Sequence, residues 1–191
     1  MTPSATVRTV EEATLRSVRG TAFPMVAAAA RSSAGEGPWL AILGMCSPEA
    51  RAVLENPPSP ATWLDPGIVA ECFAIFKRTG NLGRVPGALG AETFRARSPQ
   101  AFQDPVELLG ALPGFWRAST EGGVMETEVT GPGTGVVRLW ALWKVPYFFE
   151  EHAPAWFTHG LKLAGAQAPV VRYVPPPEPG GYLHEYHLQW S

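Results

Sequence analysis

Val136–Val145 reads VVRLWALWKV, and its alternation decides how the rest of the chain is read. In an extended strand Val137, Leu139, Ala141, Trp143 and Val145 line one face, and Val136, Arg138, Trp140, Leu142 and Lys144 the other. Just upstream, Val124–Val129 (VMETEV) also alternates, and Gly131-Pro132-Gly133-Thr134-Gly135 links the two runs as a hairpin. Pro146 stops the strand and opens an aromatic-rich helix, Tyr147 to Ala164, with a kink expected at Pro154 and a stop at Gly165. Val170–Val174, a proline-rich loop and Tyr182–Trp190 form a second hairpin. In its last strand Tyr182, His184, Tyr186, Leu188 and Trp190 share one face, and Leu183, Glu185, His187 and Gln189 the wetter one.

Working back toward the N-terminus, the chain reads as helices that need a sheet to pack on. Thr14–Arg19 is a first short strand, and Phe23–Ser32 carries an alanine run of high helix propensity. Ser47-Pro48-Glu49 starts a helix to about Glu55, with Ser as cap and Pro in the first turn. Asp65-Pro66 starts another, to Thr79, with Ile68, Val69, Cys72, Phe73 and Phe76 on one side and Gly80 at its end. A helix over Arg84–Ala96 follows, and Asp104-Pro105 starts one that ends before Pro113-Gly114. The fold class is therefore α+β: N-terminal helices on a small antiparallel sheet of two hairpins joined by a helix, a ββαββ-like C-terminal half. We read residues 1–191 as one domain. It has a mobile arm over 1–12, a mainly helical part over 13–117, and a sheet plus helix over 124–190.

Composition narrows the function classes. Apolar residues make up 46 %, enough for a core, while only 17 % are charged. A net charge of -2 speaks against a nucleic-acid partner. The apolar run Phe23–Ala30 is too short for a membrane span and lacks a signal-peptide layout, so a cytoplasmic protein is expected. Cys46 and Cys72 make neither a disulfide framework nor a zinc site. No cofactor and no metal are expected.

Trp63 before a helix, Ala88-Leu89-Gly90, Leu112-Pro113-Gly114-Phe115-Trp116-Arg117, a charged hairpin, Pro146-Tyr147-Phe148, Leu163-Ala164-Gly165-Ala166 and a terminal strand ending in Trp190 form a recurring pattern. It resembles a paralogous family of proteins of about this length that is abundant in myxobacteria. The resemblance covers roughly Trp39 to Trp190. It implies an architecture akin to the vinyl-reductase-like and haem-NO-binding-associated sensor domains, helices against a small antiparallel sheet. It implies no catalytic residues. Where the family commonly has a glycine after the Pro-aromatic helix start, this chain has Phe148-Phe149-Glu150-Glu151-His152.

The candidate chemistry is sparse. All four histidines, His152, His159, His184 and His187, fall late in the chain. His152 and His159 would share a helix face if Pro154 did not intervene, and a haem or metal ligand role for His159 competes with a polar edge position or a hydrogen-bonded histidine. His184-Glu185-Tyr186-His187 is not the zincin motif, and in a strand His184 and His187 point to opposite faces. His184 among Tyr182, Tyr186 and Trp190 reads either as a pocket wall or as a buried histidine satisfied by a tyrosine hydroxyl. Glu126 and Glu128 share a strand face, which acid–base work or plain solvation explains. Seven tryptophans suggest a covering helical layer, a dimer through one sheet face, or an aromatic-lined pocket.

Two readings result. In the first, the chain is a non-catalytic small-molecule-binding or signalling domain with an aromatic-lined pocket between sheet and helices. Trp140, Trp143, Tyr147, His152, Trp156, His159, Tyr182 and His184 are its candidate ligand-binding residues. Its partner is a small apolar or aromatic molecule or another protein, and a homodimer is one arrangement. In the second, the chain is a small enzyme (a cyclase, isomerase or lyase) using His184, Tyr186 and Glu126 for acid–base chemistry in an apolar cavity. Convergence of those groups on one cavity discriminates the two.

Overall fold

The computed structural model describes residues 9–20, 27–28, 31, 35–59, 61–78, 102–143, 148–178 and 181–191. The sheet is built as the alternation requires. Strands β4 (Val124–Gly131), β5 (Thr134–Trp140), β6 (Val170–Val174) and β7 (Leu183–Gln189) form an antiparallel sheet of order β4-β5-β7-β6. Pairing β5 with β7 sets Val137 opposite Tyr186 and Leu139 opposite His184, so one face of both strands points into the core. Between β4 and β5 the turn at Pro132-Gly133 holds Gly133 at positive φ; a Cβ there would lie 2.3 Å from the Trp190 carbonyl, so only glycine fits. On the outer face Arg138 bridges Glu128 at 2.9 Å and Glu185 at 3.0 Å. Trp140 is also on that face, yet it is buried.

A second sheet, not expected from the sequence, has order β2-β1-β3 with β1 (Ser17–Arg19), β2 (Trp63–Leu64) and β3 (Thr120–Glu121). Its strands are too short to show a period. It ties the N-terminal part to the C-terminal one: Arg16 N–H donates to the Glu121 carbonyl, and Leu142 N–H to the Ala13 carbonyl. Gly122 makes that approach possible, since a Cβ would lie 2.0 Å from the Thr14 carbonyl oxygen.

The helices with described bounds in the N-terminal half are α1 (Val10–Ala13), α2 (Glu36–Met45), α3 (Pro48–Glu55) and α4 (Pro66–Arg78). Thr9 and Glu12 form a capping box at the start of α1. Ser47 caps α3 as expected and also donates its hydroxyl to Glu71 at 2.8 Å, pinning α3 to α4. Trp39, Ile42, Leu43, Leu54, Val69, Cys72 and Ile75 form the core of this half. The expected helix over Arg84–Ala96, Gly80, Pro146 and much of Phe23–Ser32 lie outside the described residues, as do the side chains of Phe73 and Phe76.

Two sequence expectations are corrected in the helices of the C-terminal half. The helix from Asp104-Pro105 does not end before Pro113: α5 runs Pro105–Ser119, capped by the Asp104 side chain on Glu107 N–H. A proline at 113 cannot donate to the Leu109 carbonyl four residues back, which normally ends or kinks a helix. Here Thr127 of β4 donates its hydroxyl to that carbonyl at 2.9 Å, so the orphaned acceptor is satisfied from the sheet. Nor is the late helix a kinked α-helix. It opens with a π-helical turn, Phe148–His152, and continues as α6 (Ala153–Leu163). Pro154 has no N–H for the Glu150 carbonyl, and the widened turn lies directly before it. The strand of VVRLWALWKV also stops earlier than its alternation suggests, at Trp140. Trp143 leaves the sheet and donates its indole N–H to the Pro66 carbonyl at 3.1 Å.

The second core joins Val137, Leu139, Ala141, Tyr186 and Leu188 of the sheet to Leu108, Leu109, Leu112 and Trp116 of α5 and Phe149, Phe157 and Leu161 of the late helix. Each buried Leu or Phe contributes roughly 1.5–3 kcal/mol of burial free energy. Trp143 and Phe148 pack against both cores and form the seam between the halves.

Candidate functional site

At that seam the packing is incomplete. A pocket of about 130 Å³ is lined by Val18 of β1, Val69 of α4, Trp116 and Ser119 of α5, Thr120, Met125 and Leu139 of the sheets, and Trp143, Phe148, His152, Ala153, Trp156 and Phe157. The π-turn positions its late-helix wall. Phe148 and His152, four apart, stack with centroids 5.1 Å apart, and Phe148 packs on Trp143 at 4.9 Å. The turn is anchored from behind: Tyr186 donates its hydroxyl to the Phe149 carbonyl at 3.1 Å, and the Phe149 ring lies flat on His184 at 3.6 Å.

No charged side chain lines this pocket among the described residues. Burial pushes the His152 imidazole down to about 4, so it is neutral at pH 7. Ser119 and Thr120 donate their hydroxyl protons to the Phe115 and Trp116 carbonyls at 2.6 and 2.9 Å, as helix-end hydroxyls do, and keep only acceptor capacity. The indole N–H of Trp116, a residue nine-tenths buried, has no acceptor among the described residues. A larger hollow of about 450 Å³ between α2 and α3 is a surface groove edged by Arg31, Glu36 and Glu55, with the Arg31–Glu36 pair well exposed.

The structure brings Trp143, His152 and Trp156 together at the pocket and sends the other candidates elsewhere. Trp140 is buried on the outer face of β5, and Tyr182 and His159 are not among the lining residues. Tyr147 lies outside the described residues. His184 is held at both ring nitrogens, by the Ala141 carbonyl at 3.2 Å and the Tyr173 hydroxyl at 2.8 Å. The carbonyl can only accept, so Nε2 carries the proton and Nδ1 accepts from Tyr173. Burial holds this imidazole at about 4 and the Tyr173 phenol up at about 12. Of the two sequence readings of His184, it is the tyrosine-satisfied histidine that the geometry matches. Tyr186 is committed to the Phe149 carbonyl, and Glu126 is on β4 opposite Arg138. His184, Tyr186 and Glu126 therefore do not converge on the pocket.

Sequence reasoning missed Trp116, Ser119, Thr120, Val18, Val69, Phe148 and Phe157 as lining residues. Trp116 was visible only as a packing residue in the Phe115-Trp116-Arg117 run. Its neighbours reach the pocket through the unforeseen second sheet and the continuation of α5 past Pro113.

No family model matches the chain, and no curated protein matches it. Solved structures do. An H-NOX protein from K. algicida, in the Fe(II) unliganded form, superposes with a TM-score of 0.65 at 8% identity, covering 91% of this chain and 96% of that one. A T. Tengcongensis H-NOX mutant does so with 0.63 at 13% identity, over 90% of this chain and 97% of the other. A structure concerned with heme redox potential and porphyrin distortion reaches 0.65 at 14% identity, over 90% and 99%. At such identities the likeness shows the fold alone: this chain has the α+β fold of H-NOX domains. The expected sensor-domain-like architecture holds at that level. No described helix is long and apolar enough to cross a membrane.

Proposed function

We propose that this chain is a non-catalytic, small-molecule-binding signalling domain that takes an apolar molecule in the aromatic pocket between sheet and helices. The observation that carries the reading is the pocket itself, an incompletely packed space at the seam of the two halves with no charged side chain among its described lining residues. Pockets of this kind at the junction of packed units are the usual place for small ligands. An apolar cavity of about 150 Å³ takes a molecule the size of benzene. The fold supports a sensor role by analogy, since H-NOX structures are described in terms of heme and of activation.

Haem itself does not fit the pocket as the described residues shape it. A porphyrin needs a cleft of several hundred Å³, on the order of the 300–1,000 Å³ of drug-sized sites, against the about 130 Å³ found. Among the described lining residues there is no Lys or Arg to hold its carboxylates. We therefore route no chemistry through it. Occupancy would act instead on the wall that moves with the ligand. Phe148 and His152 belong to the π-turn, so a ligand that presses on them bears on the start of α6 and on the seam with α4.

The test is binding of benzene to the full chain, followed by NMR chemical shifts and by tryptophan fluorescence. Saturable shifts confined to the pocket residues, abolished by Ala153→Leu in a folded protein, are the expected result. No saturable binding up to the solubility limit of benzene, or purification with a stoichiometric Soret chromophore, sinks the reading.

A further inference from the structure

We infer that this chain keeps the fold of H-NOX domains without haem, and that a line of its own aromatic rings joins the two halves where their cores meet. Haem needs room for a porphyrin and a side chain to hold its iron. The side chains that proteins use for the iron are His, Cys thiolate, Met and Tyr. The structure separates the room from these groups. The hollow of about 450 Å³ between α2 and α3 has the size, but none of its described lining residues is a His, Cys, Met or Tyr. Its Arg31 is already paired with Glu36 at 2.8 Å. The pocket of about 130 Å³ has His152 and Met125 on its wall, but not the size.

Elsewhere these residue types are committed or distant. His184 is held at both ring nitrogens, and His187 pairs with Glu185 on the outer sheet face. His159 and Tyr182 line neither cavity. Burial pushes the Cys72 thiol up to about 12 and raises that of Cys46 too, so neither offers a thiolate at pH 7. Tyr173 and Tyr186 spend their hydroxyl protons on His184 and on the Phe149 carbonyl. Residues 79–101 contain no His, Cys, Met or Tyr. The seam holds rings instead. Trp143 donates its indole N–H to the Pro66 carbonyl of α4 at 3.1 Å and packs on Phe148 at 4.9 Å. Phe148 meets Phe149 edge-on at 5.3 Å, and Phe149 lies flat on His184 of β7 at 3.6 Å. This line runs from α4 to β7 and passes through the two side chains, Trp143 and Phe148, that pack against both cores.

The full chain, purified without added haem, is titrated with hemin and followed by absorbance and by thermal unfolding. The expected result is a folded protein that gives no saturable one-to-one Soret band and whose unfolding midpoint hemin does not raise. Trp143→Leu, which breaks the line of rings, is expected to lower the midpoint by about 4–10 °C. Trp143→Phe keeps a ring, loses only the bond to Pro66, and is expected to lower it by less than half as much. A saturable one-to-one Soret band, or a midpoint raised by hemin, overturns the inference. So does an unchanged midpoint in Trp143→Leu, and so do equal losses in the two variants, which would put the brace in the hydrogen bond and not in the rings. Benzene separates this inference from the pocket reading. If benzene does not bind and hemin gives no band, the pocket reading falls and this inference stands; a hemin band in a protein that still binds benzene does the reverse.

Discussion

His184 and His152 stand on either side of the same π-turn, each stacked on one of two consecutive phenylalanines. His184 lies at 3.6 Å from Phe149 and is hydrogen-bonded at both ring nitrogens. His152 lies at 5.1 Å from Phe148, on the wall of a pocket of about 130 Å³. Both imidazoles are buried and neutral, and both sit among aromatic rings. The difference is packing, not residue type. A polar group held at every valence with its space filled is part of the scaffold. The same group beside unfilled space is where a ligand can be received.

The largest effects separate the two phenylalanines. Phe149→Ala removes a ring that is 1 % exposed and stacks on His184, leaving the Phe149 carbonyl on Tyr186; a loss of about 3–5 kcal/mol is expected in urea unfolding. Phe148→Ala enlarges space that already exists, and its expected cost is on the order of 1–2 kcal/mol. Equal costs would mean that the pocket wall is as tightly packed as the His184 side.

Acid comes next. Both histidines have folded-state values near 4 against an unfolded 6.5, because burial disfavours the charged ring. Between those values the unfolded chain binds more protons, so stability rises with pH and is lost as pH falls from about 6.5 toward 4. Each histidine accounts for up to about 3 kcal/mol of that loss. Unfolding measured at pH 7 and at pH 4.5 in His184→Phe and in His152→Phe should show each variant lacking about half of the wild-type pH dependence. A slope left intact by either replacement would show that the ring concerned is protonated in the folded protein.

How much of this was legible follows from the range of the forces involved. The inward set His184, Tyr186 and Leu188 and the outward set Glu185, His187 and Gln189 were readable because a strand's period is local and strict. The starts at Ser47-Pro48 and Asp104-Pro105 were readable because a cap and its helix are neighbours in sequence. Pro113 misled, because the group that rescues its turn is the Thr127 hydroxyl on another element. The π-turn at Phe148–His152 and the exit of Trp143 toward Pro66 depend on tertiary partners in the same way. The pocket was expected as a class of feature, but its walls were not: unfilled space is a property of how elements meet, and no local pattern encodes it. That is why Trp116, Ser119 and Thr120 were not singled out.

A pair of alanines sharpens the comparison with opposite signs. Ala153 lines the pocket and Ala141 adjoins His184; both are nearly fully buried. Ala153→Leu places methyls in existing space and should stabilise by about 0.5–2 kcal/mol while blocking ligands. Ala141→Leu adds methyls at a position 1 % exposed, beside the stacked His184 ring, and should destabilise by about 1–3 kcal/mol. Thermal unfolding of the two variants reads the sign directly, and destabilisation by both would mean that the pocket closes in solution.

The smallest effect belongs to His187, three residues from His184 on β7 but on the opposite face. Its ring is half exposed and pairs with Glu185 at 2.6 Å, within reach of the Arg138 cluster. An exposed pair of this kind contributes little, because water screens it and the side chains lose rotamer freedom to hold it. His187→Gln is expected to change stability by less than about 0.5 kcal/mol and to leave probe binding in the pocket unaltered. The outcome matters because Trp140 and Val136, on the same outer face, are buried although His187 is not. A cost above about 1 kcal/mol would mean that the cover over Trp140 extends along β7. The outer face would then have to be counted as a second packed layer, and the contrast between filled and unfilled regions would no longer be confined to the two sides of the π-turn.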